Sequence, residues 1–254
     1  MKAPPGALGS GDPAPAAVVR PGGRDDLVLL GDHAGNAIPA SLGDLGLSAA
    51  DRERHIALDI GIRALGTRMA HLLDATFIHQ RYSRLVIDCN RDPQSPEAIL
   101  AVSDGTSVHG NAELDEPSRE RRRLAVHAPY HDCIASEIAR RLGAVRPLIV
   151  ALHSFAPVFG GEPRPFHIGV LYDQGDTRPS RAMLRSLRQE GDLIVGDNQP
   201  YRMDATDYTI RRHALPNDLP YLELELRQGL WVDPEGEDRW AARCAGWIER
   251  VLRG

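Results

Sequence analysis

The run Leu148-Ile149-Val150-Ala151-Leu152 constrains this chain most, because five apolar residues follow one another without a polar break and lead directly into His153-Ser154-Phe155. A strand with one wet face alternates apolar and polar residues. A strand buried on both faces need not, so this run reads as a central strand of a largely parallel sheet. Leu27-Val28-Leu29-Leu30 has the same character and also ends in a polar loop, Gly31-Asp32-His33-Ala34-Gly35-Asn36-Ala37-Ile38-Pro39. Strands that alternate with helical patterns predict an α/β fold: one domain with a mixed, mostly parallel sheet flanked by helices. In such sheets ligands bind at the carboxyl ends of the strands. Two histidines delivered there by two strands are candidates for one shared site, since imidazole can serve as metal ligand or as acid/base near neutral pH. Taken alone, His33 fits equally well a histidine hydrogen-bonded within its own loop.

Between and beyond these runs the chain supplies possible partners. Ser48-Ala49-Ala50-Asp51 has capping-box spacing and predicts a helix over residues 49–73. On that helix His55 and Asp59 share a face, the spacing of a chelating pair or of an ordinary His–carboxylate contact. Thr76-Phe77-Ile78-His79 and Leu85-Val86-Ile87-Asp88 read as short strands, the second entering Cys89-Asn90-Arg91-Asp92-Pro93. Arg84, Asn90 and Arg91 suit a carboxylate, to which a guanidinium offers two prongs and a permanent charge. Ion pairs with Asp88 or Asp92 are the competing reading. Ser118 is expected to cap a helix reaching residue 142, which Pro129 kinks or splits. Residues 166–172 and 193–195 read as further strands, and residues 196–201 as a turn-rich loop. Tyr221-Leu222-Glu223-Leu224-Glu225-Leu226-Arg227 alternates strictly, so Glu223, Glu225 and Arg227 point one way. Two carboxylates on an internal strand need a metal or an arginine; on an edge strand they would face water. An amphipathic helix over residues 237–252 sets Trp240, Trp247, Ile248 and Val251 against the sheet.

Composition removes several function classes. With 254 residues the chain suits one large domain, and a net charge of -5 argues against a nucleic-acid binder. Cys89, Cys133 and Cys244 are far apart, which excludes a cysteine zinc framework and suits a reducing compartment. No GxGxxG, P-loop, HExxH or GxSxG pattern occurs. The Pro-, Gly- and Ala-rich residues 1–25 read as a disordered leader ahead of a catalytic domain over residues 26–254. No apolar run has membrane-spanning length. Neither nucleic acid nor a membrane is an expected partner, and the expected location is the cytoplasm.

Together these segments resemble the N-formylglutamate amidohydrolase family. The resemblance rests on Asp32-His33-Ala34-Gly35-Asn36 with Ile38-Pro39, His55-Ile56-Ala57 with Asp59-Ile60-Gly61, and Ser83-Arg84-Leu85-Val86-Ile87-Asp88 with Asn90-Arg91. It continues through Leu152-His153-Ser154-Phe155 with Pro157, Asp197-Asn198 with Pro200-Tyr201, and Glu225-Leu226-Arg227-Gln228. The segments keep the family's order across residues 27–230. The family is similar in turn to zinc carboxypeptidases and related deacylases, which implies a core of that kind. The resemblance implies metal-dependent hydrolysis of an N-acyl amide, with N-formyl-L-glutamate as the first substrate. Another N-acyl amino acid or peptide, or a metal-free binding protein, are the alternatives. It implies His33 and His153 as ligands of Zn²⁺ or another divalent ion and Glu225 as general base. Arg84, Asn90, Arg91 and Tyr201 are the implied substrate-binding residues. Asn36 stands where the related zinc enzymes have a ligating glutamate. A neutral amide is a poor replacement there, so the third ligand is expected from Asp59 or another carboxylate, or the metal is weak or absent.

Overall fold

The two apolar runs lie side by side in the middle of a seven-stranded sheet. The computed structural model describes residues 8–231 and 233–254. In chain order the strands are β1 (Ala16–Val19), β2 (Leu27–Gly31), β3 (Thr76–Gln80), β4 (Leu148–Phe155), β5 (Ile168–Leu171), β6 (Val195–Asp197) and β7 (Tyr221–Arg227). Their order across the sheet is β1-β3-β2-β4-β7-β5-β6. Strands β3, β2, β4 and β7 run parallel, β1 and β5 are antiparallel to their inner neighbours, and β6 is parallel to β5. The helices are α1 (Ile62–Leu73), α2 (Glu116–Arg122), α3 (Ala128–Leu142), α4 (Arg178–Arg188), α5 (Thr209–His213) and α6 (Pro234–Arg253).

Side-chain alternation divides the core between the two faces. Leu27, Leu29, Leu148, Val150, Leu152, Leu222, Leu224 and Leu226 pack with apolar residues of α1, α4 and α6, including Met69, Leu187 and Trp247. Val28, Leu30, Ile149, Ala151 and Tyr221 pack on the other face with Tyr130, Ile134 and Ile138 of α3 and Ile210 of α5. Each fully buried leucine contributes on the order of 2 kcal/mol. Continued toward the strand ends, the second register places His153, Glu223 and Glu225 on the same face of the sheet, with Asp32 one residue beyond β2.

Several local expectations are corrected by longer-range contacts. Within the expected leader, residues 16–19 form a paired strand: Ala16 lies opposite Gln80 and Val19 opposite Phe77, and farther on Arg24 binds Asp26 and Glu249. Four small apolar residues suffice because an edge strand pairs on one side only. Residues 1–7 lie outside the described residues. The Ser48 hydroxyl does accept the Asp51 N–H, at 3.1 Å, yet it opens only the 3₁₀ turn Asp51–Glu53. Helix α1 begins at Ile62, behind Gly61 at φ 85°. A Cβ at Gly61 would lie 2.0 Å from Trp231 Nε1. Instead of joining a helix, the Asp59 N–H binds the His33 carbonyl at 2.8 Å, so His55 and Asp59 do not share a helical face.

Leu85, Val86 and Ile87 form no strand; they fill a third apolar cluster with Ile56, Tyr82 and Val126. Asp115, not Ser118, caps α2, accepting the Ser118 N–H at 2.9 Å. Pro129 does not split the expected helix: α2 passes without a break into a π-helical turn, Arg123–His127, and that into α3, with Pro129 in its first turn. Strand β7 is interior, between β4 and β5, so Glu223 and Glu225 are not edge residues. No described helix is long and apolar enough to cross a membrane.

Candidate active site

A cleft of about 570 Å³ opens at the carboxyl ends of the parallel strands. All eight residues singled out from the sequence lie on its walls: His33, Asp59, Arg84, Asn90, Arg91, His153, Tyr201 and Glu225. Strand β2 delivers His33 just past its end, β4 carries His153, and β7 carries Glu225, which stands opposite His153 in the parallel register. The eight come from segments spread over the whole sheet, and only the fold brings them together.

At the floor, two imidazoles turn toward one carboxylate. His153 Nδ1 lies 2.9 Å and His33 Nδ1 3.5 Å from Asp59 Oδ2. The other ring nitrogens face outward. His33 Nε2 donates to Asp88 Oδ1 at 2.7 Å, and His153 Nε2 faces Asp32 Oδ2 at 3.5 Å. Tyr130 Oη donates to the other Asp32 oxygen at 2.8 Å. A zinc ion with bonds of about 2.0–2.1 Å sets tetrahedral ligand edges near 3.3 Å. The two spacings to Asp59 fit such edges, and the donor atoms of His33, Asp59 and His153 all lie within 4.8 Å of one another. A carboxylate that accepts from the outward nitrogen, as Asp88 does from His33, is the arrangement that fixes tautomer and ring orientation at metal sites. The donor set therefore fits a divalent ion.

Burial works against the Asp32 and Asp59 carboxylates, but the adjacent imidazoles hold both below the ordinary range, Asp32 at about 2. Burial also opposes ionised Asp88, which Arg84 and His33 hold well below that range. For His153 the burial penalty is outweighed by Asp32 and Asp59, which raise the ring well above its usual value.

Glu225 differs from these aspartates. It is 93% buried, and its Oε2 has no hydrogen-bond partner among the described residues. Burial pushes its carboxyl up to about 7. Gly169 of β5 lies opposite it, and a Cβ there would stand 1.9 Å from the Gln199 carbonyl oxygen and 3.4 Å from Glu225 Cβ. Glycine thus lets the loop after β6 close down beside the carboxylate. Glu223, one turn of the pleat deeper, also lines the cleft, and burial raises its carboxyl well above the usual value.

The cationic wall is partly committed to the protein itself. Arg84 donates Nε and Nη2 to Asp88 Oδ2 at 3.1 and 2.7 Å, and its Nη1 lies 3.6 Å from Asp59. The ion-pair reading with Asp88 therefore holds alongside Arg84's place in the cleft. Asn90 uses its amide oxygen to accept the Tyr208 and Thr209 N–H groups at the start of α5. Arg91 donates to the Asn90 and Thr206 carbonyls and faces Glu97 at 3.6 Å. Tyr201 lines the cleft with its side chain partly exposed, its hydroxyl accepting from Arg164 at 2.6 Å. Asn36 is outside the cleft, donating to Glu53 at 3.0 Å and to the Arg52 carbonyl at 3.3 Å. His55 pairs with Asp104 at 3.1 Å instead of with Asp59.

The profile of the N-formylglutamate amidohydrolase family matches residues 25–232. The chain belongs to this family. Membership makes it a hydrolase of an amide C–N bond. A comparison with curated proteins finds no match. Among solved structures, the gene product Atu2144 of Agrobacterium tumefaciens is 34% identical, with a TM-score of 0.92 over 97% of this chain and 98% of that one. An N-formylglutamate amidohydrolase from Ralstonia eutropha JMP134 is 22% identical, with a TM-score of 0.61 over 94% and 96%, and shares the fold.

Lining this cleft or lying behind it, four contributors were not singled out as site residues from the sequence. Asp88 and Asp32 are the outward partners of the histidines, Tyr130 supports Asp32, and Arg202 adds a cation to the wall. Asp32 and Asp88 each stand at the polar end of an apolar run, which is the signal that was available. Arg202 carries no signal beyond its place next to Tyr201.

Proposed function

We propose that the chain hydrolyses N-formyl-L-glutamate to formate and glutamate, with His33, Asp59 and His153 holding a divalent ion, zinc in the first instance. The observation that carries this reading is the convergence of both Nδ1 atoms on Asp59 beside a buried Glu225 oxygen with no hydrogen-bond partner. When bound, zinc polarises a carbonyl oxygen and lowers the pKa of its water to about 7. Asp88 and Asp32 keep the Nδ1 atoms of His33 and His153 directed inward. Glu225 takes the proton of the attacking water on its carboxylate and passes it to the leaving nitrogen, for which a group near neutrality is suited. Arg84, Arg91 and Arg202 supply cations for the two substrate carboxylates, and Tyr201 borders the entrance. Asn90 supports this wall through its hold on α5 rather than by a free amide oxygen. A polar N-acyl amino acid and three free cysteines suit the cytoplasm.

The test is formate release from N-formyl-L-glutamate with added zinc and after chelation, alongside Glu225→Gln. Chelator-sensitive release is expected. Glu225→Gln should keep its metal and lose about 10²- to 10⁴-fold in turnover. Release insensitive to chelation, or a variant with most of its activity, would reject these assignments.

A further inference from the structure

Of the large apolar side chains exposed among the described residues, Leu100, Val102, Phe159 and Tyr201 all line the cleft that holds the catalytic groups. Single exposed apolar residues need no explanation, but a set gathered on one cleft marks a recognition surface. These residues are held in place. The Arg164 guanidinium lies 4.6 Å from the Phe159 ring centre and 4.5 Å from that of Tyr201, and it donates to the Tyr201 hydroxyl. The Phe159 ring meets the His55 ring edge-on at 6.3 Å. His55 in turn faces Asp104, at the tip of the ribbon that carries Val102. The hairpin of residues 158–163, the segment after β6 and the ribbon of residues 102–107 are thus joined into one arc.

Size points the same way. N-formylglutamate has about a dozen non-hydrogen atoms and fills roughly 150–200 Å³ at the packing density of organic solids. The cleft, at about 570 Å³, holds a good deal more. The surplus lining includes side chains that cannot hydrogen-bond to a polar substrate.

We infer that Leu100, Val102, Phe159 and Tyr201 form a subsite for an apolar group of the substrate, so that the chain acts best on N-acyl amino acids bulkier than N-formylglutamate. The inference rests on the hydrolytic reading above and alters only which N-acyl amino acids are favoured. The apolar group is continuous with the amide, because the arc and the catalytic residues share one cavity. It is supplied by a longer acyl chain or by an apolar amino-acid side chain, two sources with the same chemistry.

The test measures kcat/KM of the zinc-loaded full chain in two arms. One compares N-formyl-, N-butyryl- and N-octanoyl-L-glutamate; the other compares N-formyl-L-alanine, N-formyl-L-leucine and N-formyl-L-phenylalanine. Each seated methylene is worth roughly threefold, so at least one arm should rise by about tenfold or more. Phe159→Ser and Val102→Ser are expected to remove that rise while N-formyl-L-glutamate turnover stays within about twofold of the parent chain. Flat or falling values in both arms, with N-formyl-L-glutamate still hydrolysed, overturn the subsite and leave the hydrolytic reading standing. No hydrolysis of any substrate rejects both. A rise that survives both substitutions, or variants that change only the oligomeric mass, also overturns it.

Discussion

Asp88→Asn tests whether an outward carboxylate orients His33, and the geometry dictates why a change of one atom should matter. Asp88 Oδ1 accepts from His33 Nε2 at 2.7 Å and from the Asn90 N–H at 2.8 Å, while Oδ2 accepts twice from Arg84. Asparagine has nearly the same shape but only one accepting oxygen. With that oxygen toward His33, the NH₂ group confronts the Arg84 donors and two hydrogen bonds are lost. With the oxygen toward Arg84, the NH₂ donates to His33 Nε2 and drives the ring proton to Nδ1, the atom turned toward Asp59. A protonated Nδ1 cannot ligate. Loss of such an outer partner lowers metal affinity by about 10- to 100-fold, or roughly 1.4–2.7 kcal/mol. Arg84 keeps Asp59 at 3.6 Å and is partly exposed, so the metal-free protein should lose only about 1–3 kcal/mol. Competition against a chromophoric zinc chelator measures the affinity, and urea melts with and without zinc separate the two effects. Zinc affinity within about twofold of the parent, with the metal-free protein destabilised, would make Asp88 a partner of Arg84 alone and refute its role at His33.

Gly169→Ala places a Cβ 1.9 Å from the Gln199 carbonyl oxygen; a loss of about 1–3 kcal/mol in urea melts, with reduced turnover, is expected. Arg122 is buried and donates to Asn111 and to the Val86 and Gly110 carbonyls, so Arg122→Met should destabilise by about 3 kcal/mol or more, and an unchanged urea midpoint would contradict this. Burial, reinforced by Arg212, holds the His213 ring down to about 4. The unfolded chain therefore binds this proton first: the contribution is full above about pH 6.5 and lost as pH falls toward 4, by up to roughly 3 kcal/mol. His213→Gln should flatten melts recorded across that window.

What was legible in the sequence came from patterns that one segment carries by itself. The uninterrupted runs before Asp32 and His153 announced buried parallel strands, and the alternation of β7 placed Glu223 and Glu225 on one face. The helix drawn through His55 and Asp59 failed because a capping signal is local, whereas the Asp59 N–H is claimed by the His33 carbonyl from another loop. Asn36 drew attention by its place in a motif, yet its amide turns toward Glu53, and the carboxylate beside the histidines comes from Asp59. Asp88 was visible as the polar end of an apolar run and as a neighbour of Arg84, but nothing within residues 83–93 tells that His33 takes its other oxygen. Strand β1 was missed because four small residues have no helical or strand periodicity until β3 is there to pair with them.

In the proposed reaction the charges keep the aspartates and Glu225 in different roles. Asp32, Asp59 and Asp88 place three carboxylates around two imidazoles, and Arg84 is the guanidinium that contacts two of them. Buried ions left uncompensated cost several kcal/mol each, and the positive charge facing these carboxylates comes from Arg84 and from the two imidazoles, whose hold on a proton the carboxylates strengthen. Carboxylates held by such contacts have little affinity for a proton near neutral pH, Asp32 down at about 2. Glu225 is pushed the other way, to about 7, by burial without a partner on Oε2. Paired groups whose environments drive their proton affinities apart take different parts in a reaction. An aspartate acting as base would have to break its ion pair in every turnover, adding that pair's energy to the barrier; Glu225 has no such pair to break.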